Sequence, residues 1–190
     1  MATNWLQKSR EGIVEREITR IVTPGTVTES CMLDESRNNY IGCIYGEGGK
    51  FGLSFCDVST GAFFVTVCSD PQSVASELGR FAPSEVIRYG AGVDQEQIED
   101  ALFRRLNCGV NEGKAEDFRL EIGEATLVSH FNTTLAGLGL AGMPAAVICA
   151  GSLLKQLLFI QKNDLAHIRE LQYYSTGRFM ELDLDARRNL

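Results

Sequence analysis

Three carboxylates lie at the ends of predicted strands, where a metal-dependent nuclease would need them. Asp57 closes one apolar run, Glu85 begins another, and Asp117 lies near a third. Such a nuclease gathers acidic side chains around two metal ions about 3.5 to 4 Å apart. However, Asp57 also precedes the turn at residues 59–61, where a carboxylate commonly accepts hydrogen bonds from backbone amides. Because residues 40–45, the first predicted strand, contain no acid, this structural role for Asp57 is favoured over catalysis.

Other catalytic arrangements are not recognisable in the sequence. His130 and His167 have no cysteine or acidic partner at metal-ligand spacing, so each is interpreted as a packing or surface residue. Neither the phosphate-binding sequence G-x-x-x-x-G-K-S/T nor the nucleophile sequence G-x-S-x-G occurs. The glycines within residues 46–49 serve the geometry of a predicted hairpin. No catalytic pair and no bound cofactor are therefore predicted for this chain.

The elements that would position these residues begin with three β-rich runs, at residues 40–45, 51–57 and 62–68. Short loops that contain glycine separate the runs, at residues 46–49 and 59–61. Runs of this kind at short spacing are typical of an antiparallel meander.

A helical pattern follows the meander. Asp70 and Pro71 predict an N-cap with proline at the first helical position, and apolar residues recur at helical spacing up to Ala82. Residues 85–89 then indicate a short strand. Asp94 and the glutamine three residues later resemble a capping box, which opens a second helix. The predicted core face of this helix is Ile98, Ala101, Leu102 and Leu106.

The second half of the chain predicts one strand and two helices. The strand is placed at residues 116–120 and the first helix at residues 122–131. Residues 144–160 are almost wholly apolar, but Ser152 and Lys155 interrupt a run that is already shorter than the roughly 20 residues of a membrane span. A helix buried on most sides is predicted there, with small residues that allow close approach to a sheet or another helix.

The order of elements predicts the fold class. Three antiparallel strands are followed by helix, strand, helix, strand and helix, which is the succession of an α/β ribonuclease H-like fold with a mixed sheet flanked by helices. Fold alone leaves function open.

Charge and cysteine content narrow the possible partners and setting. The 25 acidic and 18 basic residues give a net charge of -7, which opposes direct binding to a phosphate backbone. The six cysteines occur singly, so they are interpreted as reduced, with Cys43, Cys56 and Cys68 buried in strands. Residues 1–12 lack an apolar signal core and no membrane span is predicted, so a cytoplasmic setting is expected.

Several motifs together resemble the MutS family of DNA mismatch repair proteins. Residues 14–26 are similar to the family's V-x-R-x-(V/I)-x-R-(V/I)-(V/I)-T-P-G-T segment, and residues 57–61 to its D-(I/V)-S-T-G turn. Residues 187–190 match the R-R-N-L sequence at the start of the family's core domain. Ala166 and Ala186 depart from the proline and threonine that the family often has there. The resemblance covers residues 12–190, and residues 1–11 show no similarity.

This resemblance implies a part of a longer protein with three regions. Residues 1–25 would be the linker from the mismatch-binding domain, residues 26–161 the connector domain, and residues 162–190 a second linker with the beginning of the core domain. The connector of a MutS protein would be noncatalytic, would pass on ATP-driven domain movement and would help to recruit MutL. ATP and magnesium are expected only in the parent protein, and DNA is expected to be bound only through its other domains.

The candidate docking surface lies in the predicted helix at residues 122–131 and just beyond it. Thr126, Ser129, His130 and Asn132 are polar, lie beyond the central strands and are not needed for a core face. They are therefore predicted to form part of a surface for a MutL-type protein. Solvated side chains without a partner are the structural alternative.

Two other functions remain open at this stage. An autonomous metal-dependent nuclease or resolvase of the same fold is opposed by the acidic net charge and by the missing acid in the first strand. A free-standing adaptor is the second. A metal titration with a branched or hybrid substrate would test the nuclease, and the flanking coding sequence would identify a MutS protein by its mismatch-binding domain and phosphate loop.

The charge and the missing phosphate loop lead to a first prediction. The isolated chain should not bind DNA tightly, because its net charge of -7 opposes contact with the phosphate backbone. It should not hydrolyse ATP, because it lacks a phosphate-binding loop. Filter binding at low salt, where phosphate contacts are strongest, is the appropriate measurement. Salt-dependent affinity equal to that of a dedicated DNA-binding domain would contradict this prediction.

Overall fold

The computed structural model describes residues 39–161 and 165–176 of the chain. Its strands are β1 Tyr40–Glu47, β2 Lys50–Asp57, β3 Ala62–Cys68, β4 Glu85–Gly90, β5 Gly109–Glu112 and β6 Gln172–Tyr173. They form one sheet in the order β5-β4-β1-β2-β3-β6, antiparallel from β1 to β3 and parallel elsewhere. The helices are α1 Pro71–Phe81, α2 Glu96–Glu99, α3 Leu120–Phe131 and α4 Pro144–Ile160. The α/β mixed sheet predicted from the sequence is confirmed, whereas the closer likeness to ribonuclease H stays a prediction.

The predicted meander forms because its turns match the twist of the strands. Gly48 and Gly49, between β1 and β2, have φ angles of 57° and 77°. A two-residue turn with both φ angles positive is the favoured connection in a β-hairpin. The resulting register pairs Tyr40 with Asp57 at the far end of the hairpin.

Local signals at both ends determine the extent of α1. Asp70 Oδ1 accepts a hydrogen bond from the Ser73 amide at 2.8 Å, and Pro71 occupies the first turn. The helix ends where Ala82 adopts a left-handed conformation with a φ of 45°, just before Pro83. The predicted cap, proline and end of this helix are confirmed.

The predicted helix at residues 144–160 is confirmed as α4, which lies between the sheet and α3. A Cβ at Gly52 would clash with the carbonyl group of Ala145, so the glycine allows α4 to lie directly on β2. On its other side, a Cβ at Gly151 would lie 2.7 Å from the carbonyl oxygen of Gly123 and closer still to its Cα. Small residues therefore let α4 approach both the sheet and α3.

The sheet is covered on both faces. Alternate β1 residues such as Ile41 and Cys43 pack with α4, whereas Ile44 packs with α1 and the second helical region. This second region continues from α2 as a π-helical turn at Asp100–Arg105. The cysteines within the described residues are free and buried, as predicted for those in the strands. No helix in the described part of the chain is long and apolar enough to cross a membrane.

Two local predictions are wrong. The capping box at Asp94 does not form, because α2 begins one residue later with Gln95 as an N-cap that makes no side-chain bond. The fifth strand is Gly109–Glu112 and does not lie at residues 116–120, since its register with β4 places Gly109 beside Glu85. Pairing with a neighbouring strand outweighs the weak β propensity of Gly-Val-Asn-Glu.

Part of the polar stretch after residue 161, which was predicted as a linker, packs on the sheet. Leu165, Ile168 and Leu171 are buried in the same core as α4, and β6 pairs with β3. The described part of this stretch is therefore packed on the domain. The three domain limits themselves stay predictions. The predicted linker at residues 1–25 and the family motifs at residues 14–26 and 187–190 lie outside the described residues.

The close approach of α4 to α3 can be tested by overpacking. Gly151→Leu should lower the free energy of unfolding by about 3 kcal/mol, because the neighbouring atoms are backbone and cannot move aside cheaply. Gly79→Leu is the matched control, since an added Cβ on this helical glycine meets nothing within 4 Å. The measurement is urea denaturation. Unchanged midpoints in both Gly151→Leu and the charge-burying Leu154→Asp would show that α4 is not central to the core.

Candidate docking surface

The carboxylate of Asp57 organises the turn between β2 and β3. Its Oδ1 accepts hydrogen bonds from the Ser59 amide at 2.9 Å, the Ser59 hydroxyl at 2.6 Å and the Thr60 amide at 3.4 Å. Asp57 as a whole is only 2% exposed. These bonds give the buried carboxylate the structural role that was favoured from the sequence.

The other two candidate carboxylates are engaged in different places. Glu85 Oε1 accepts a hydrogen bond from Asn111 Nδ2 at 2.6 Å, and Asp117 pairs with Lys155 at 2.6 Å on the α4 side. Within residues 39–161 and 165–176, no group of three or more His, Cys, Asp and Glu residues is placed to hold a metal ion. The described residues thus give the nuclease alternative no support.

Both histidines bind backbone carbonyl groups. His130 Nε2 lies 2.8 Å from the carbonyl oxygen of Ile168, and His167 Nε2 lies 2.6 Å from that of Val58. Since a carbonyl oxygen only accepts, each Nε2 carries the donated proton. His130 is half-buried and His167 is exposed, so their positions agree with the predicted packing or surface role.

In the described part of the chain, an open groove with a volume of about 830 Å³ lies between α3 and α4. On α3, the side chains of residues 122, 126 and 130 follow one another at four-residue spacing and thus lie on one stripe. The complete lining is Ile122, Ala125, Thr126, Ser129, His130, Lys155, Leu158 and Phe159.

The structure brings three of the four predicted docking residues into this groove. Thr126, Ser129 and His130 line it, and the Thr126 hydroxyl donates to the carbonyl oxygen of Ile122 at 2.7 Å. Asn132 is not part of the lining. It follows the last turn of α3 with a φ of 50°, a left-handed conformation that asparagine tolerates better than most residues. Whether a partner binds these residues stays a prediction.

Sequence reasoning missed the groove's most exposed apolar residue. Phe159 is 69% exposed, although it belongs to a helix that was predicted to be buried on most sides. Phe159 lies four residues after Lys155 and seven after Ser152, so it continues the stripe on which the polar residues of α4 occur. That spacing was the signal that could have identified it.

The geometry describes an α/β module with an open helical groove, in which Asp57, Glu85 and Asp117 each bind neighbouring groups of the fold. Residues 39–169 match the family described as MutS domain II. The chain therefore belongs to the MutS domain II family, as its motifs indicated.

Similar proteins carry the name DNA mismatch repair protein MutS. Those from Methanococcoides burtonii, Lachnoclostridium phytofermentans and Syntrophomonas wolfei are 40%, 36% and 33% identical to this chain, in each case over 96% of its length. The chain spans only 20 to 22% of the length of these relatives. It thus corresponds to about one fifth of a MutS protein.

The turn at Asp57 provides a test that separates structure from metal binding. Asp57→Ala should lower the free energy of unfolding by about 1.5 kcal/mol, because it removes the charged acceptor of the hydrogen bonds that close the turn. Asp94→Ala, at an exposed aspartate, should change it by less than about 0.5 kcal/mol. Thermal unfolding with and without magnesium is the measurement. A magnesium-dependent rise in midpoint that disappears in Asp57→Ala would instead identify a metal ligand.

Proposed function

We propose that this chain is the noncatalytic connector module of a MutS-type mismatch repair ATPase. It links the mismatch-binding domain to the core, passes on ATP-driven domain movement and presents a docking surface for a MutL-type protein. The docking surface is the α3–α4 groove, with Thr126, Ser129 and His130 in its wall and Asn132 at the end of α3. ATP and magnesium are bound by other parts of the parent protein.

The way the domain is packed supports a role in transmitting movement. Helices cover both faces of the sheet, and the apolar side chains form two clusters, one on each face. A domain packed in this way moves as a rigid body, because close-packed cores do not deform continuously. The net charge of -7 supports contact with DNA through other domains of the parent protein.

The exposure of Phe159 is the observation that carries the docking role. Phe159 is 69% exposed, and Leu158 and Ile122 line the same groove together with the polar Ser129 and Lys155. Protein interfaces typically have an apolar centre with a polar rim, and buried aromatic anchors contribute much of their binding energy. The groove has this composition.

The docking role can be tested in the full-length parent protein. Phe159→Glu should weaken ATP-dependent recruitment of MutL by about thirtyfold or more, because it places an unpaired charge at the centre of the surface. Ser129→Arg should weaken recruitment as well, through added bulk. Mismatch binding and ATP turnover should stay largely intact in both variants, since the groove contributes to neither. Surface-plasmon resonance with immobilised mismatched DNA measures all the binding steps.

Phe103→Glu is the matched control for this experiment. Phe103 is also an exposed aromatic residue, at 47%, but it lies in the π-helical turn, away from the groove. Recruitment that survives every groove change would show that the surface is wrong. Recruitment that survives deletion of residues 39–161 would exclude a docking role for the whole module.

A further inference from the structure

The segment at residues 165–174, here called the strap, packs on the α4 face and ends as β6 at the edge of the sheet. Leu165, Ile168 and Leu171 are 0%, 2% and 8% exposed and share the core on the α4 face. The strap is the last described part of the chain before the region that resembles the start of the core domain.

The middle of the strap is held by the turn that Asp57 organises. His167 Nε2 donates to the carbonyl oxygen of Val58 at 2.6 Å. Gly61, which closes the turn, has a φ of 79°, and a Cβ there would lie 2.6 Å from the carbonyl oxygen of His167. The turn therefore requires glycine at this position both for its positive φ and because a side chain would clash with the backbone of the strap.

The end of the strap is held by β3 and α1. Tyr173 pairs with Val65, and the Thr66 hydroxyl donates to the carbonyl oxygen of Tyr174 at 2.7 Å. The Tyr174 hydroxyl donates to Glu77 Oε2 at 2.7 Å, and its ring lies 5.2 Å from the Arg80 guanidinium. Burial, with the Glu77 carboxylate, raises the pKa of Tyr174 well above its usual value, so its hydroxyl stays protonated even in alkaline solution.

The strap is also joined to the groove. His130, which lines the groove, donates to the carbonyl oxygen of Ile168 in the strap at 2.8 Å. The His130 ring also meets the edge of the Phe131 ring at 4.8 Å between centroids, and Phe131 packs on Phe63 of β3. One residue of the groove wall is thus positioned by the path of the strap.

We propose that the strap couples the position of the C-terminal part of the chain to the shape of the α3–α4 groove. When the strap is seated, the Ile168 carbonyl holds His130 in the groove wall. When movement of the following region draws the strap away from β3, His130 loses its acceptor and the wall loses its fixed position. Coupling of this kind is reciprocal, so a partner that binds the seated groove also stabilises the strap. The regulatory meaning rests on the proposed docking function, but the coupling itself does not.

The coupling can be tested on the full 190-residue chain by amide hydrogen exchange read by mass spectrometry. Tyr174→Phe removes the hydroxyl that binds Glu77 and retains the ring. Exchange should become about tenfold faster in residues 165–174, because a hydrogen bond to a charged group is lost. It should also become faster in residues 126–132, at the end of α3. Tyr89→Phe is the matched control, because Tyr89 of β4 stacks on Phe118 and β1, β2 and β3 separate β4 from β6.

A double-mutant cycle then identifies the route. In a His130→Ala background, Tyr174→Phe should no longer affect residues 126–132, whereas in a Ser129→Ala background its effect should persist. Faster exchange in the strap alone would overturn the coupling between the strap and the groove. Unchanged exchange in both segments would show that the Tyr174 hydroxyl does not hold the strap in place, which would also overturn the proposal. If Tyr174→Phe does not fold, Thr66→Val removes the neighbouring strap bond and is judged by the same outcomes.

The parent protein separates this inference from the docking function. MutL recruitment after ATP addition should slow exchange in residues 165–174, and Tyr174→Phe should weaken recruitment less than Phe159→Glu does. If Phe159→Glu leaves recruitment unchanged, the docking function fails while the exchange experiment still decides the coupling. If recruitment is lost in Phe159→Glu but does not slow exchange in the strap, docking stands and the reciprocal coupling fails.

Discussion

The close backbone approach of α4 to its two neighbours is the constraint on which the rest of the structure depends. Gly52 lets the start of α4 lie on the central strand β2, and Gly151 lets its middle lie against Gly123 of α3. Because α4 lies this close to both neighbours, the sheet and α3 together bury its apolar residues. Larger side chains at these positions would separate the layers and expose the cluster that also includes Leu165 and Ile168.

The same arrangement leaves one stripe of α4 that faces the loop before α3 and then, near the end of the helix, solvent. On that stripe the buried Ser152 and the half-buried Lys155 bind the carbonyl oxygen and the carboxylate of Asp117, which tie the loop before α3 to α4. Phe159 continues the stripe beyond these bonds and has no such covering. The groove is therefore a consequence of how one helix is buried, and its apolar floor is continuous with the core of the domain.

The residues that suggested chemistry hold the backbone in place. Asp57 satisfies the amides of its turn, His167 binds the following carbonyl of Val58, and His130 binds Ile168. Buried backbone groups need partners, and short turns cannot supply all of them from secondary structure. Side chains of types that often act in catalysis therefore bind backbone groups here, in the turn between β2 and β3 and along the strap.

The sequence by itself determined the elements whose signals are local. Glycine turns, the Asp70 cap and the apolar period of α4 specified the meander and two helices, and the motifs indicated the family. Tertiary structure decided β5, the strap and the exposure of Phe159. The two-residue strand β6 pairs with β3 across more than a hundred residues, so no local pattern encodes it. The polarity of Thr126, Ser129 and His130 was enough to predict that they lie on the surface. The groove that they line forms only because α3 packs on α4, a contact that no local pattern encodes.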